Sequence, residues 1–411
     1  MSEAFCVKSI QVDKRVNTRK DNVLSNIIVQ FLYALIINNV FKRILGIEQN
    51  YLLYIGVLFT LIYSFANYYI LSKKCTNTFI ISAVICIAFY ATSYIFYGNP
   101  FSTILKYVSQ TIVFIYYGSI AFNIDDYSIL FDKLTKHSYI FLIILSLILI
   151  GRDNYVYVMS YSNLVLIPLI LHTICFFKSK KNKLLNLAIL VYEAILIIML
   201  GSRGALLVYA VFLFAYILFA LNRATIKVLF VMIVALIVFI FVVYSDLIAY
   251  LLEKFGINSR TIMLLLNDFT HDSGRTGLHE YGRYMIDQKP LLGWGVAGDS
   301  QFMGGGYVHS IWLELQIDFG RIIGIALFLT ICALYIYVLL NTHFDYKFLM
   351  FICLGFVQLF YSNSYLICWE FILSIYIFSK ECIVIRENKK NNRAYTINQY
   401  FGFRKICNSN T

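Results

Sequence analysis

Proline is scarce in this chain and charge is thin. Three prolines occur in 411 residues, and charged side chains make up 14%, against roughly 25% in an ordinary soluble domain. A chain that is 60% hydrophobic, with a mean hydropathy of +0.74, cannot hide so much apolar surface in a water-soluble core. Lipid must be the solvent for most of it. The nine cysteines show no CxxC spacing, and none falls in the longest polar interruption, so neither a zinc site nor a disulfide framework is indicated. No small-residue cleavage site follows the first apolar run. Lys8, Lys14, Arg15, Arg19 and Lys20 therefore precede a retained span rather than a signal peptide. Gly304-Gly305-Gly306 lacks the following Lys-Ser/Thr and the preceding strand of a nucleotide phosphate loop. The net charge of +12 would suggest nucleic acid in a soluble protein, but the basic residues sit in short links between apolar runs. They read as topology signals, and no nucleic-acid partner is expected.

What remains is a succession of apolar runs. A membrane-spanning helix needs about 20 mostly apolar residues, because no backbone polar group can go unpaired in lipid. Spans are expected near 24–41, 50–71, 78–97, 103–122, 138–151, 157–177, 184–201, 204–221, 226–250, 321–340, 347–361 and 365–380. The fold class is thus all-α, a polytopic membrane protein with about 12 transmembrane helices and one long extracytoplasmic loop containing short helices. With both ends in the cytoplasm, the cytoplasmic segments hold 23 of the 34 Lys and Arg and the outer ones 11, as the positive-inside rule requires. Residues 1–23 form a cytoplasmic N-terminal tail, 24–385 the membrane domain with its outer loop at about 251–308, and 386–411 a solvated Asn/Lys-rich C-terminal tail. The basic residues of that second tail can rest on anionic lipid heads.

The loop is where chemistry can be sought. It holds 10 of the chain's 21 glycines, together with Tyr281, Tyr284, Leu291, Leu292 and Trp294, which favours an ordered cap over a flexible linker. Leu278, Tyr281, Tyr284 and Met285 are spaced for a short amphipathic helix over 274–289, ended by Pro290. Arg275 and Arg283 would lie near one face of it, offering the planar fork of donors that fits phosphate, or simply pairing with Glu280, Asp287 or lipid heads. Arg203, in the tight Ser202-Arg203-Gly204 turn between two apolar runs, is either a third phosphate donor on the same outer side or a snorkelling hairpin tip. His309 stands where the loop re-enters the membrane. A histidine there can take a proton from a hydroxyl or act as an ordinary capping residue. A metal set of His271, Asp272, His279, Glu280 and His309 matches no ligand spacing, so no metal is expected.

Four short motifs occur in a telling order: Ser202-Arg203-Gly204, Ser273-Gly274-Arg275, the Pro290-to-Gly295 run Pro-Leu-Leu-Gly-Trp-Gly, and His309-Ser310 ahead of a helix with Gly320 and Gly324. In this the chain resembles the O-antigen polymerase and O-antigen ligase families of polytopic membrane glycosyltransferases, with Gly324 one residue later than the ligase pattern has it. The resemblance implies transfer of glycan from an undecaprenyl diphosphate donor on the outer face of the bacterial inner membrane, with no nucleotide sugar, metal or other cofactor. Arg203 and Arg275 would grip the diphosphate, with Arg283 added from its helical facing, and His309 would deprotonate the acceptor hydroxyl. Pro290, Gly293 and Gly295 would shape the loop so that Arg275 and His309 face one substrate. Undecaprenyl diphosphate-linked glycans, membrane lipids, a chain-length regulator and a flippase are the implied partners. A repeat-unit polymerase is the first expectation, since that family is the more divergent. A ligase passing polymer to the lipid A core is the alternative. A flippase or other transporter would use intramembrane carboxylates such as Glu193 and Glu370, and a structural scaffold for an export complex is a further class.

Overall fold

The computed structural model describes residues 2–46, 50–67, 73–147, 159–178, 182–200, 202–220, 275–303 and 306–407, and every regular element among them is helical. The chain runs through α1 (Ser2–Leu45), α2 (Tyr51–Ala66), α3 (Lys73–Tyr97), α4 (Phe101–Phe122), α5 (Tyr127–Ser146), α6 (Met159–Lys178), α7 (Lys183–Met199) and α8 (Arg203–Ala215), the last continued by a π turn to Ala220. Then come α9 (Arg275–Gln288), α10 (Gly298–Phe302), α11 (Ile311–Phe319), α12 (Arg321–Asn341), α13 (Tyr346–Gly355) with a 3-10 turn at Val357–Phe360, and α14 (Trp369–Cys407). The expected span at 226–250 and residues 251–274 of the loop, with His271 and Asp272, lie outside the described residues.

Among the described residues four helical stretches are long and apolar enough to cross a bilayer: Thr18–Leu45, Cys75–Tyr97, Tyr161–Lys178 and Arg321–Asn341. Tyr51–Ala66, Arg203–Phe219 and Tyr346–Phe360 are apolar but shorter. This is a polytopic helical membrane protein. Its inner helices are α1 and α6, whose apolar windows are 72% and 78% buried, whereas those of α3 and α12 are 17% buried and present Leu, Ile and Phe outward. Phe31 of α1 stacks on Tyr117 of α4 at 3.9 Å and meets the edge of Trp369 on α14. Because lipid tails are as apolar as Leu, close packing and interhelical hydrogen bonds hold such helices together. His172 of α6 is the clearest case. Its Nδ1 lies 2.7 Å from Glu193 Oε1 of α7 and its Nε2 2.8 Å from Ser138 Oγ of α5, all three residues buried. Lys20 of α1 and Lys380 of α14 both reach Asp125, so the two terminal helices bring their polar stretches to one end of the bundle.

Helix α1 begins at Ser2 and not near 24, and three further boundaries differ from the sequence expectation. Helix α5 begins at Tyr127, not near 138, because Asp126 caps it by accepting the Ser128 N–H, and Leu130, Phe131 and Leu134 are buried despite the Lys133 and Lys136 between and beyond them. The connection after α13 is wider than Ser362–Ser364. Residues 361–368 are irregular, since Ser364 and Tyr365 bond to Glu314 instead of continuing a helix. Helix α14 runs on to Cys407, so the backbone of the Asn/Lys-rich tail is helical; Gly402 is the one glycine along it and proline is absent.

Candidate functional site

The site is assembled around α11. Helix α9 lies on it through Gly282, Met285 and Ile286, which pack with Val308, Leu313 and Ile317. The apolar face expected from Leu278, Tyr281, Tyr284 and Met285 is rotated: Tyr281 and Tyr284 are exposed, with their rings stacked 6.1 Å apart. Gly282 decides the facing, because a Cβ there would come within 2.9 Å of Val308 Cγ2. The glycine therefore lets α9 come close to the segment that leads into α11.

After α9 the chain doubles back as the strap Lys289–Gly295. Its backbone takes up the terminal carbonyls of α11, which a helix end leaves without partners. Trp294 N–H donates to Ile317 O at 2.7 Å and Gly295 N–H to Asp318 O at 3.0 Å, while Arg321 N–H returns a bond to Pro290 O at 2.7 Å. Gly293 (φ 67°) and Gly295 (φ 78°) occupy the left-handed region that suits glycine. A Cβ at Gly293 would lie 2.5 Å from Gly320 N and from Ile317 O. Trp294 is spent on structure. Its Nε1 donates to Met285 O at 2.9 Å and Lys289 Nζ sits 3.9 Å over its ring.

Beneath the strap lies a buried carboxyl group cluster that sequence reasoning missed. Asp299 Oδ2 accepts the Val308 N–H at 3.2 Å, Asp318 accepts the Tyr365 hydroxyl and Glu314 accepts the Ser364 hydroxyl. Burial pushes Asp299 up to about 6, partly offset by the N–H groups of Val308 and Ser300. Burial, and then repulsion from Asp299, drives Glu314 and Asp318 well above the carboxylate range. The i, i+4 spacing of Glu314 and Asp318 in an apolar context was the available signal. The cluster ties α10, α11 and the 364–365 connection into one unit and fixes the backbone just before His309.

His309 has φ 56°, and its half-buried ring sits 4.3 Å from that of Tyr307. Its Nδ1 is buried with no hydrogen-bond partner among the described residues. Burial, then the nearby charges of Arg275 and His279, hold the imidazole down at about 4. It is therefore neutral at physiological pH and able to accept a proton. Arg275 is the first residue of α9, on the same side of that helix as His279 and Gly282; Arg283, one turn beyond His279, is exposed. Arg203 opens α8, which Ser202 caps by accepting the Ala205 N–H. Gly204 faces Tyr361 and Ser362, and the Tyr307 hydroxyl donates to Ser362 O at 3.4 Å. The Arg203 turn and the His309 loop thus meet on the 361–364 connection. The structure brings Arg275 and His309 together, sets the Arg203 turn beside them through Ser362 and Tyr307, and leaves Arg283 on the outer surface. Among the described residues no group of three or more His, Cys, Asp or Glu could hold a metal ion.

Residues 185–329 match the family model described as O-antigen ligase, a segment that includes Arg203, Arg275, Arg283 and His309. No curated protein and no solved structure matches the chain.

Proposed function

We propose that this chain, which belongs to the O-antigen ligase and polymerase superfamily, polymerises lipid-linked oligosaccharide repeat units. The observation that carries the reading is the neutral, half-buried imidazole of His309 under the charge of Arg275. In the proposed step an acceptor sugar hydroxyl attacks the anomeric carbon of a glycan on undecaprenyl diphosphate. The new glycosidic C–O bond forms as the sugar–phosphate C–O bond breaks. The hydroxyl proton passes to His309, and the diphosphate leaves with the bonding electron pair. Arg275 and Arg203 face the growing negative charge, with Arg283 as an outlying contact. Fixed cations aimed at a leaving group lower the barrier. A base held down to about 4 is a weak one, and the donor corrects this. Its diphosphate neutralises Arg275 and so removes one of the causes that depress the ring, making His309 more basic once the substrate is in place.

The same reading puts the protein in the bacterial inner membrane with twelve spans, both termini cytoplasmic and the 251–308 loop outside. The basic-residue asymmetry of the sequence and the meeting of Lys20 and Lys380 at Asp125 support that orientation. A chain-length regulator and a flippase are the partners such a polymerase works with. The matching family model's own description favours a second reading, a ligase that hands finished polymer to a lipid A core sugar. Gene deletion separates them: a core capped with a single repeat unit supports the polymerase, and an uncapped core supports the ligase. A transporter reading loses ground because Glu193, one of its two carboxylates, is held by His172.

A further inference from the structure

We propose that the half-open cavity beside Tyr307 seats the terminal sugar of the acceptor glycan, an assignment that rests on the glycosyl-transfer reading above and adds to it a binding site for the second substrate. The cavity, of about 250 Å³, lies where α1, α6, the 358–363 connection and the first turn of α14 converge. A single buried water needs only roughly 10–15 Å³ of such space, so the cavity has room for a ring-sized polar group and not merely for an ion.

Its lining shows what that group must offer. Asn163 and Gln358 are almost completely buried there, and each has an amide oxygen with no hydrogen-bond partner among the described residues. Buried polar atoms in native proteins are nearly always paired, so two orphaned acceptors in one cavity mark groups awaiting a donor. The carboxyl of Glu370 adds acceptor oxygens, and the Gln358 amide nitrogen is directed to Cys368 Sγ at 3.8 Å. Among the described residues that line the cavity there is no lysine, arginine or histidine, which disfavours the diphosphate and favours an uncharged donor-rich ligand. Sugar hydroxyls fit that requirement. Trp369, braced edge-on by Phe31 at 5.6 Å, and Tyr307 supply the aromatic surfaces on which a sugar's C–H face can pack.

The cavity also has the right neighbour. Tyr307 forms part of its wall, and the ring of Tyr307 is the one lying 4.3 Å from His309. A sugar held by Asn163, Gln358 and Glu370 can present a hydroxyl past Tyr307 to the proposed base. The phosphate-facing arginines, by contrast, lie outside the cavity lining. Donor and acceptor are thereby given separate seats on either side of His309.

The test uses the intact protein in lipid nanodiscs and a diazirine-bearing copy of its own repeat-unit oligosaccharide, freed of lipid and phosphate. Saturable labelling of peptides carrying Tyr307 or residues 358–370, competed by the unmodified oligosaccharide, is the expected result. Saturable label confined to other peptides, or no saturable label, overturns the assignment, and neither outcome depends on a mutant folding. Gln358→Met removes the orphaned acceptor at nearly constant shape. It is expected to weaken labelling about tenfold while undecaprenyl diphosphate binding persists; unchanged labelling affinity overturns the role given to Gln358. His309→Ala provides the separate arm. Polymer synthesis that survives in it removes the proposed base and leaves the cavity result standing, whereas labelling that survives while synthesis stops supports both.

Discussion

The backbone N–H of Val308 donates to Asp299 Oδ2 across 3.2 Å, one residue before His309. A carboxyl that resists ionising therefore holds the segment bearing the proposed base. Its folded value is raised to about 6 from 3.8, so its protonated form contributes stability that is fully present below about 4 and lost as pH rises through about 6. Asp299→Asn keeps an acceptor oxygen and never ionises. Thermal unfolding in detergent should show the variant gaining on the unaltered protein as pH goes from about 4 to 7; a gap that stays constant over that range contradicts the assigned burial.

His309 gives the opposite sign. Its folded value is depressed to about 4 from 6.5, so the stability its neutral form contributes is present above 6.5 and falls away as pH drops through 4. For catalysis, the acid limb of kcat/KM should lie well below 6.5. Replacing Arg275 with Gln removes one cause of the depression and should move that limb upward while reducing kcat. A limb that does not move in Arg275→Gln separates the arginine from the imidazole.

His309→Ala, assayed as polymer length on lipid-linked product at unchanged protein level, is expected to reduce synthesis by about 10²–10⁴-fold, the usual contribution of a general base. Arg283→Ala should fall far less than Arg275→Ala, since Arg283 stands exposed and Arg275 is the arginine whose charge acts on His309. Equal losses from the two arginines would mean that the diphosphate spans both.

Gly293→Ala introduces a Cβ within 2.5 Å of Gly320 N at φ 67°. Steric overlap and an unfavourable backbone region act together, costing upward of about 1–3 kcal/mol locally. Faster protease cleavage between residues 289 and 306, read by mass spectrometry, is the expected signature. Gly277→Ala, where a Cβ meets nothing within 4 Å, is the control.

His172→Leu leaves Glu193 in the bundle without its 2.7 Å partner. Breaking a buried pair from one side costs about 3–5 kcal/mol, whereas replacing both partners by apolar groups is often neutral. The double variant His172→Leu/Glu193→Leu should therefore recover most of the thermal stability and retain polymer synthesis. Loss of synthesis in a stable double variant would revive a transport role for Glu193.

The parts of this molecule that were legible in the sequence are those governed by local rules. Helix α12 was read almost to the residue, because Arg321–Asn341 is an unbroken apolar run behind a glycine. The existence of α9 and its stop before Pro290 followed from helical spacing and proline chemistry. Its facing did not. Tyr281 and Tyr284 counted as apolar by periodicity, yet the approach of Gly282 to Val308 is a tertiary event. The pairing of Glu314 with Ser364 and Tyr365 was illegible for the same reason: bonds spanning about 50 residues leave no periodic trace. Arg203, Arg275 and His309 stood out one by one, but their relation runs through Tyr307 and Ser362, which no local pattern singles out.

The strap at Lys289–Gly295 is fastened to the α11–α12 corner by main-chain bonds and by a glycine resting on a glycine. Such a fastening is indifferent to side-chain identity at the loop's outer positions. Tyr281, Arg283, Tyr284, Leu291 and Leu292 all project from a frame whose geometry they do not determine. Point changes on that outer rim can therefore alter what the loop touches while the placement of Arg275 and His309 is inherited intact.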